Sequence, residues 1–149
     1  MEIALSEFAD KLNRILPAVI KEFARRQANE LYKGKITLPQ FLILDFLNRR
    51  GESKMVELAH FMGVTTAAMT GIVDRIVRDG YVVRASEPQD RRIIKIRLTA
   101  KGAELVKKVN RQRRQMIMDI FGRISIKERQ DYLNILMRIH AILTQEKKA

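Results

Sequence analysis

The spacing of apolar residues divides this chain into successive helices, interrupted once by a short stretch that alternates. From residue 5 to about 31, Leu5, Phe8, Leu12, Ile15, Leu16, Val19 and Phe23 recur at helical intervals. They predict one long amphipathic helix with Ser6 as its N-cap and Pro17 as a kink or break. Its more polar second half, KEFARRQANELYKGK, runs out near Gly34. A second helix starts at Thr37, where Thr37 and Gln40 have capping-box spacing and Pro39 sits in the tolerant first turn. Phe41, Leu42, Leu44, Phe46 and Leu47 make it almost wholly buried, and residues 48–51 end it. Ser53 is expected to cap a short helix carrying Met55, Val56, Leu58, Ala59 and Met62. Gly63 then turns the chain into Thr65. A short helix, a glycine turn and a second helix form the helix-turn-helix pattern.

That second helix lies between Thr65, a good N-cap, and Gly80, a typical residue just past a helix end. Met69, Ile72, Val73, Ile76 and Val77 give it one buried face. The opposite face carries Ala67, Thr70, Gly71, Asp74 and Arg78, with Thr66, Ala68 and Arg75 towards its edges. Its first two turns are small and uncharged. Two readings fit such a face. One is a tight helix–helix contact. The other is a helix deep in a DNA groove, where Thr hydroxyls and Thr and Ala methyls suit base edges and thymine methyls.

The period then changes from 3.6 to 2. Residues 81–85 and 93–98 are β-rich, and Ile94, Ile96 and Leu98 alternate with Lys95 and Arg97 as in a half-exposed strand. The connection, residues 86–92, holds Pro88 and Asp90 as turn formers and then Arg91 and Arg92. A two-arginine hairpin tip beside a small-faced helix suits a duplex. The helix would enter the major groove while an Arg reaches the narrow minor groove next to it. Asp90 is expected to brace Arg92, and Asp74 to pair with Arg78 at i+4 or with an arginine of the wing. Lys54, at the start of the short helix, reads either as a phosphate contact or as a solvated lysine.

Thr99 caps a further helix to about residue 121, with Leu105, Val106, Val109, Met116, Ile117 and Ile120 apolar. Its basic middle, KKVNRQRRQ, reads as a solvated face or as long-range attraction for DNA. Ser125 and Glu128 have capping-box spacing for the last helix. There Tyr132, Ile135, Leu136, Ile139, Ile142 and Leu143 make a narrow stripe at near-heptad spacing. The tail QEKKA should fray. The first helix and the last two thus carry long apolar stripes outside the central module. Either a monomer folds them together or a dimer covers them.

Composition narrows the chemistry. A chain of 149 residues, 46% hydrophobic and 31% charged, suits one mainly helical domain with a real core. A net charge of +12 favours an acidic partner, nucleic acid ahead of an anionic membrane. With no cysteine there is no disulfide, thiolate metal site or cysteine redox chemistry. The two histidines, His60 and His140, fall on separate helices, and no phosphate loop, GxGxxG, HExxH or GxSxG occurs. The chain therefore reads as a non-enzyme without catalytic residues, cofactor or metal. It has no signal-peptide core and no apolar run of about 18 residues, so a cytoplasmic protein without a membrane partner is expected.

Asp90-Arg91-Arg92 after a short strand, then an apolar strand running into LTAKG, resembles the MarR family of winged helix-turn-helix transcription regulators. TTAAMTGIVDRIVRDGYVVR is similar to that family's recognition helix and first wing strand, and ITLPQFLILDFL and MVELAHFMGV extend the likeness. It covers residues 36 to 105 well and the flanks by helix pattern only. The resemblance implies a mainly α fold with a small β-hairpin wing, a winged helix-turn-helix domain plus N- and C-terminal dimerisation helices. Residues 1–149 would be one domain, with the DNA-binding lobe at 36–100 and the dimerisation helices at 1–35 and 101–149. It implies a sequence-specific regulator, a repressor that occupies a palindromic operator on double-stranded DNA as a homodimer. Thr65, Thr66, Ala67, Ala68 and Thr70 would approach bases, Arg75 and Arg78 bases or phosphates, and Lys54 a phosphate. Arg91 and Arg92 would hold the wing in place, braced by Asp90. Relatives commonly respond to small amphipathic, often aromatic, acids, and the corresponding crevice here would involve Phe23, Phe41 and Leu105. The alternative is a non-specific nucleic-acid-binding or architectural protein.

Overall fold

The computed structural model describes residues 2–31 and 35–146. Along them run α1 (Leu5–Leu31), α2 (Leu38–Arg50), β1 (Ser53–Lys54), α3 (Met55–Met62), α4 (Thr66–Arg78), β2 (Val82–Ser86), β3 (Ile94–Leu98), α5 (Ala100–Phe121) and α6 (Ile126–Glu146). Two compact units part within α5, between Gln112 and Arg113. The expected run-out near Gly34 and the last residues of the tail, 147–149, lie outside the described residues.

In the first unit, α1 passes through Pro17 without the break the sequence suggested, and it starts at Leu5, so Ser6 lies inside the helix rather than capping it. A proline costs one backbone bond, and a helix this long retains enough others to continue. The winged lobe begins at α2. Thr37 N donates to Gln40 Oε1 (3.0 Å) and Gln40 N to Thr37 Oγ1 (3.4 Å), which closes the capping box. Phe41, Ile43, Leu44 and Leu47 of α2 bury against Leu58 of α3, Met69, Val73 and Ile76 of α4, Val82 and Ile96 of the sheet, and Val106 and Val109 of α5. Gln40, Asp45 and Ser53 are the buried polar residues among those described. Asp45, nearly buried, accepts from Asn110 Nδ2 at 3.1 Å and pairs with Arg49 at 2.7 Å. Among the described residues no buried side-chain polar atom lacks a partner.

The sheet has three strands in the order β1-β3-β2, all antiparallel, rather than the two of the expected hairpin. Val82 lies opposite Leu98 and Ser86 opposite Ile94, while Ser53 pairs with Ile96 and Lys54 with Lys95. Ser53 is therefore a strand residue and not a cap; its hydroxyl donates to Gly51 O at 3.2 Å. A two-residue strand carries no periodicity and is defined only by its neighbour. Ile94 also departs from expectation. It is exposed, because the wing extends beyond the core that buries Ile96.

The start of α5 is fastened to the end of α4. Thr99 Oγ1 donates to Gly80 O (2.7 Å) and accepts from Gly102 N (3.1 Å), and Lys101 Nζ reaches Asp79 O (2.7 Å). Gly102 is required here, since a Cβ would stand 2.2 Å from Tyr81 O. In the second unit the Ser125–Glu128 box caps α6, and Arg129 Nη1 donates to Phe121 O and Ile124 O (2.9 and 2.8 Å). Ser125 backbone and hydroxyl hydrogen bonds hold the Glu128 carboxyl below the usual glutamate range. No residue of α6 is buried.

Candidate nucleic-acid interface

The chain bends by 105° between α3 and α4. Gly63, in the left-handed conformation at φ 65°, makes that turn possible, with Gly63 N bonded to His60 O and Val64 N to Ala59 O (both 3.1 Å). Met69, Val73 and Ile76 are sealed in the core, and this fixes the rotation of α4 about its axis. Thr65, Thr66, Ala67, Ala68, Thr70, Gly71, Asp74, Arg75 and Arg78 are consequently all exposed. The helix closes at Gly80, φ 80°, with Tyr81 N on Ile76 O (2.9 Å) and Gly80 N on Val77 O (3.0 Å).

Hydrogen bonds give this face a polarity. Thr65 Oγ1 accepts from Ala68 N at 3.1 Å as the N-cap, which leaves its O–H to donate outward. Thr70 Oγ1 instead donates to Thr66 O at 2.9 Å, so only lone pairs face out. Asp74 Oδ1 is held by Arg84 Nη2. Of the two partners the sequence allowed, the wing arginine takes Asp74 and Arg78 does not, because β2 packs alongside α4. That proximity leaves no mark on helical spacing.

At the wing tip, Asp90 Oδ1 accepts from both the backbone N (3.0 Å) and Nε (3.2 Å) of Arg92. The guanidinium is fixed at its base while its side chain stays 92% exposed, with no bond to either terminal nitrogen among the described residues. Arg91 is exposed beside it. Lys54, exposed at the end of β1, lies opposite Lys95 of β3. Sequence reading missed the brace below the tip, where Lys95 lies 2.8 Å from Glu87 and 3.6 Å from Glu52. The hydrogen bond to Glu87, with the charges of both carboxylates, outweighs desolvation and raises Lys95 above the usual lysine range. Glu at two separated positions gave no sequence signal; only the strand pairing converges them.

The residues expected around a ligand crevice differ in their burial. Phe41 is completely buried, Leu105 packs against the same core, and Phe23 is half-buried on α1. Phe41 serves as packing because the apolar face of α2 has the whole lobe folded on it. Among the described residues no cluster of His, Asp and Glu could hold a metal ion, and no single helix is long and apolar enough to cross a membrane.

Residues 36–94 match the MarR family model. The chain is 28% identical over 130 residues to the uncharacterised HTH-type transcriptional regulator YsmB of Bacillus subtilis, covering 87% of each protein. Its fold superposes on a MarR family protein from Bacillus stearothermophilus with a TM-score of 0.82 at 25% identity, over 95% of this chain and 99% of that one. FabT of Streptococcus pneumoniae, solved in complex with DNA, shares the fold alone, with a TM-score of 0.82 at 19% identity over 92% of this chain and 98% of FabT. A winged helix-turn-helix that presents a small-faced helix and an arginine-tipped wing defines a DNA-binding transcriptional regulator. Residues 36–94 form a MarR-family domain, and the relatives and structural neighbours of the chain include MarR-family transcriptional regulators.

Proposed function

We propose that this protein represses transcription by occupying a pseudo-palindromic operator as a homodimer. The observation that carries the reading is α4 itself, whose exposed face is small over two turns and lies next to a wing arginine held by Asp90. Thr65, Thr66, Ala67, Ala68 and Thr70 approach the major-groove bases, and Arg75, Arg78 and Lys54 meet bases or phosphates. Arg92 enters the adjacent minor groove, with Arg91 on the backbone. FabT's complex with DNA supports the use of this fold on a duplex. Dimerisation is supported by apolar residues that the fold leaves uncovered, from Leu5 to Ile20 on α1 and from Tyr132 to Leu143 on α6. In this reading residues 1–35 and 101–149 form the dimer and 36–100 the DNA-binding lobe, in one domain acting in the cytoplasm.

Release by a small amphipathic or aromatic ligand belongs to the same reading. Such a ligand would have to part α2 from its neighbours to reach Phe41. The test is selection from a random duplex pool at physiological salt, with wild type and Arg92→Ala. An enriched palindrome with half-sites about 10 bp apart, weakened by the substitution, is the expected result. Binding without an enriched sequence would indicate a non-specific, architectural protein instead.

A further inference from the structure

The hydrogen bonds on the exposed face of α4 sort its polar atoms by what each can still do. Thr65 keeps a donor at the helix start. One turn on, the Thr70 hydrogen is spent on Thr66 O, so that side chain can only accept. Another turn on, Asp74 gives Oδ1 to Arg84 and leaves Oδ2 with no partner among the described residues. Thr70, Asp74 and Arg78 succeed each other at i, i+4 and form one stripe on the helix. Gly71, beside Thr70, adds no bulk to keep the backbone out of a groove.

A bare carboxylate on this stripe would be repelled by the phosphates. Arg84 on β2 neutralises it and also fixes its orientation, since the guanidinium reaches it from the wing side. What remains is an aimed acceptor. In the major groove the amino groups of cytosine and adenine are the donors. A carboxylate pairs with cytosine N4, because adenine sets an N7 acceptor beside its amino group.

We infer that Asp74 is a specificity-determining residue that accepts a hydrogen bond from a cytosine amino group in each operator half-site, with Arg84 as its positioning residue. The inference rests on the operator-binding reading above and extends it to one base. Arg84 touches no base; it acts through the carboxylate.

The experiment is the same selection run on wild type, Asp74→Ala, Asp74→Asn, Arg84→Ala and Arg84→Lys, with affinities measured for the enriched site and its three single-base variants at each half-site position. Wild type should require cytosine at one position, by about ten- to a hundredfold over the other bases. Asp74→Ala should erase that preference alone and bind random duplex more tightly, because a negative charge is gone. Asp74→Asn, which can both donate and accept, should admit adenine there. Arg84→Ala should blur the same position, and Arg84→Lys should restore part of it. The inference is overturned if Asp74→Ala lowers affinity equally for all bases, as a purely structural brace would, or leaves every preference intact. Failure of wild type to enrich any sequence would overturn the operator reading itself, a distinguishable result.

Discussion

The winged lobe and the terminal helices are built from similar apolar patterns but meet opposite fates. Phe41, Ile43 and Leu44 of α2 are wholly buried. Leu136 and Leu143 of α6, spaced as regularly, are 42% and 57% exposed, and Leu5 of α1 is 82% exposed. The lobe has sheet, α3, α4 and α5 closing over one side of α2, so it completes its own core. No residue of α6 is buried. Apolar area of this extent left in water is what an association surface looks like. The lobe holds its fold by intramolecular burial, whereas the terminal helices leave apolar stripes exposed, as the proposed dimer requires.

The largest test of that contrast is Leu136→Glu combined with Ile139→Glu. Charge in the stripe should convert the protein to a monomer by sedimentation and lower operator affinity by about a hundredfold or more as two-site avidity is lost. The circular dichroism of the lobe should barely change. A persistent dimer, or a collapsed lobe, would erase the distinction. Next comes Leu44→Ala, which should cost about 2–5 kcal/mol in denaturant unfolding, because it opens a cavity in a sealed core. A loss as small as that of an exposed leucine would show the lobe is not self-sufficient.

Arg92→Ala should weaken operator binding by about 1–3 kcal/mol without lowering the melting temperature, since the side chain is almost wholly exposed and its one ion pair, to Asp90, is at the surface. Asp90→Ala should reproduce part of this loss by freeing the arginine. A fall in stability instead would make the wing tip structural. The smallest effect concerns the α6 cap. The folded Glu128 carboxyl titrates below its unfolded value, so its stabilisation is present above the ordinary glutamate range and fades as pH falls through the lowered value. Melting curves of Glu128→Gln and wild type should differ near neutral pH and converge in acid. Curves that stay parallel throughout would mean that the charge contributes nothing.

Much of the molecule was legible from residue types. Thr37 with Gln40, Thr65, Gly80, Thr99, and Ser125 with Glu128 mark helix ends through local hydrogen bonds, which need no tertiary context. Asp90 and Arg92 are two residues apart in one turn, so their contact was also within reach. The pieces that escaped all depend on partners distant in sequence. Ser53 becomes a strand only because Ile96 lies beside it, and Lys95 gathers Glu87 and Glu52 only because β1, β2 and β3 align. Asp45 bonds to Asn110, 65 positions away, a contact that no local pattern marks. Phe41 is an apolar residue whose complete burial only the folded lobe decides, because an apolar side chain reads the same whether it lines an opening or fills a core.

The sequence by itself determined the order and ends of the helices, the alternating strands and the small face of α4, because periodicity and capping act within a few residues. Tertiary structure alone decided which way α4 faces, that Asp74 answers to Arg84, and that the lobe is covered while α6 is bare. Those outcomes depend on which surfaces exclude water from one another, and no single stretch of chain carries that information.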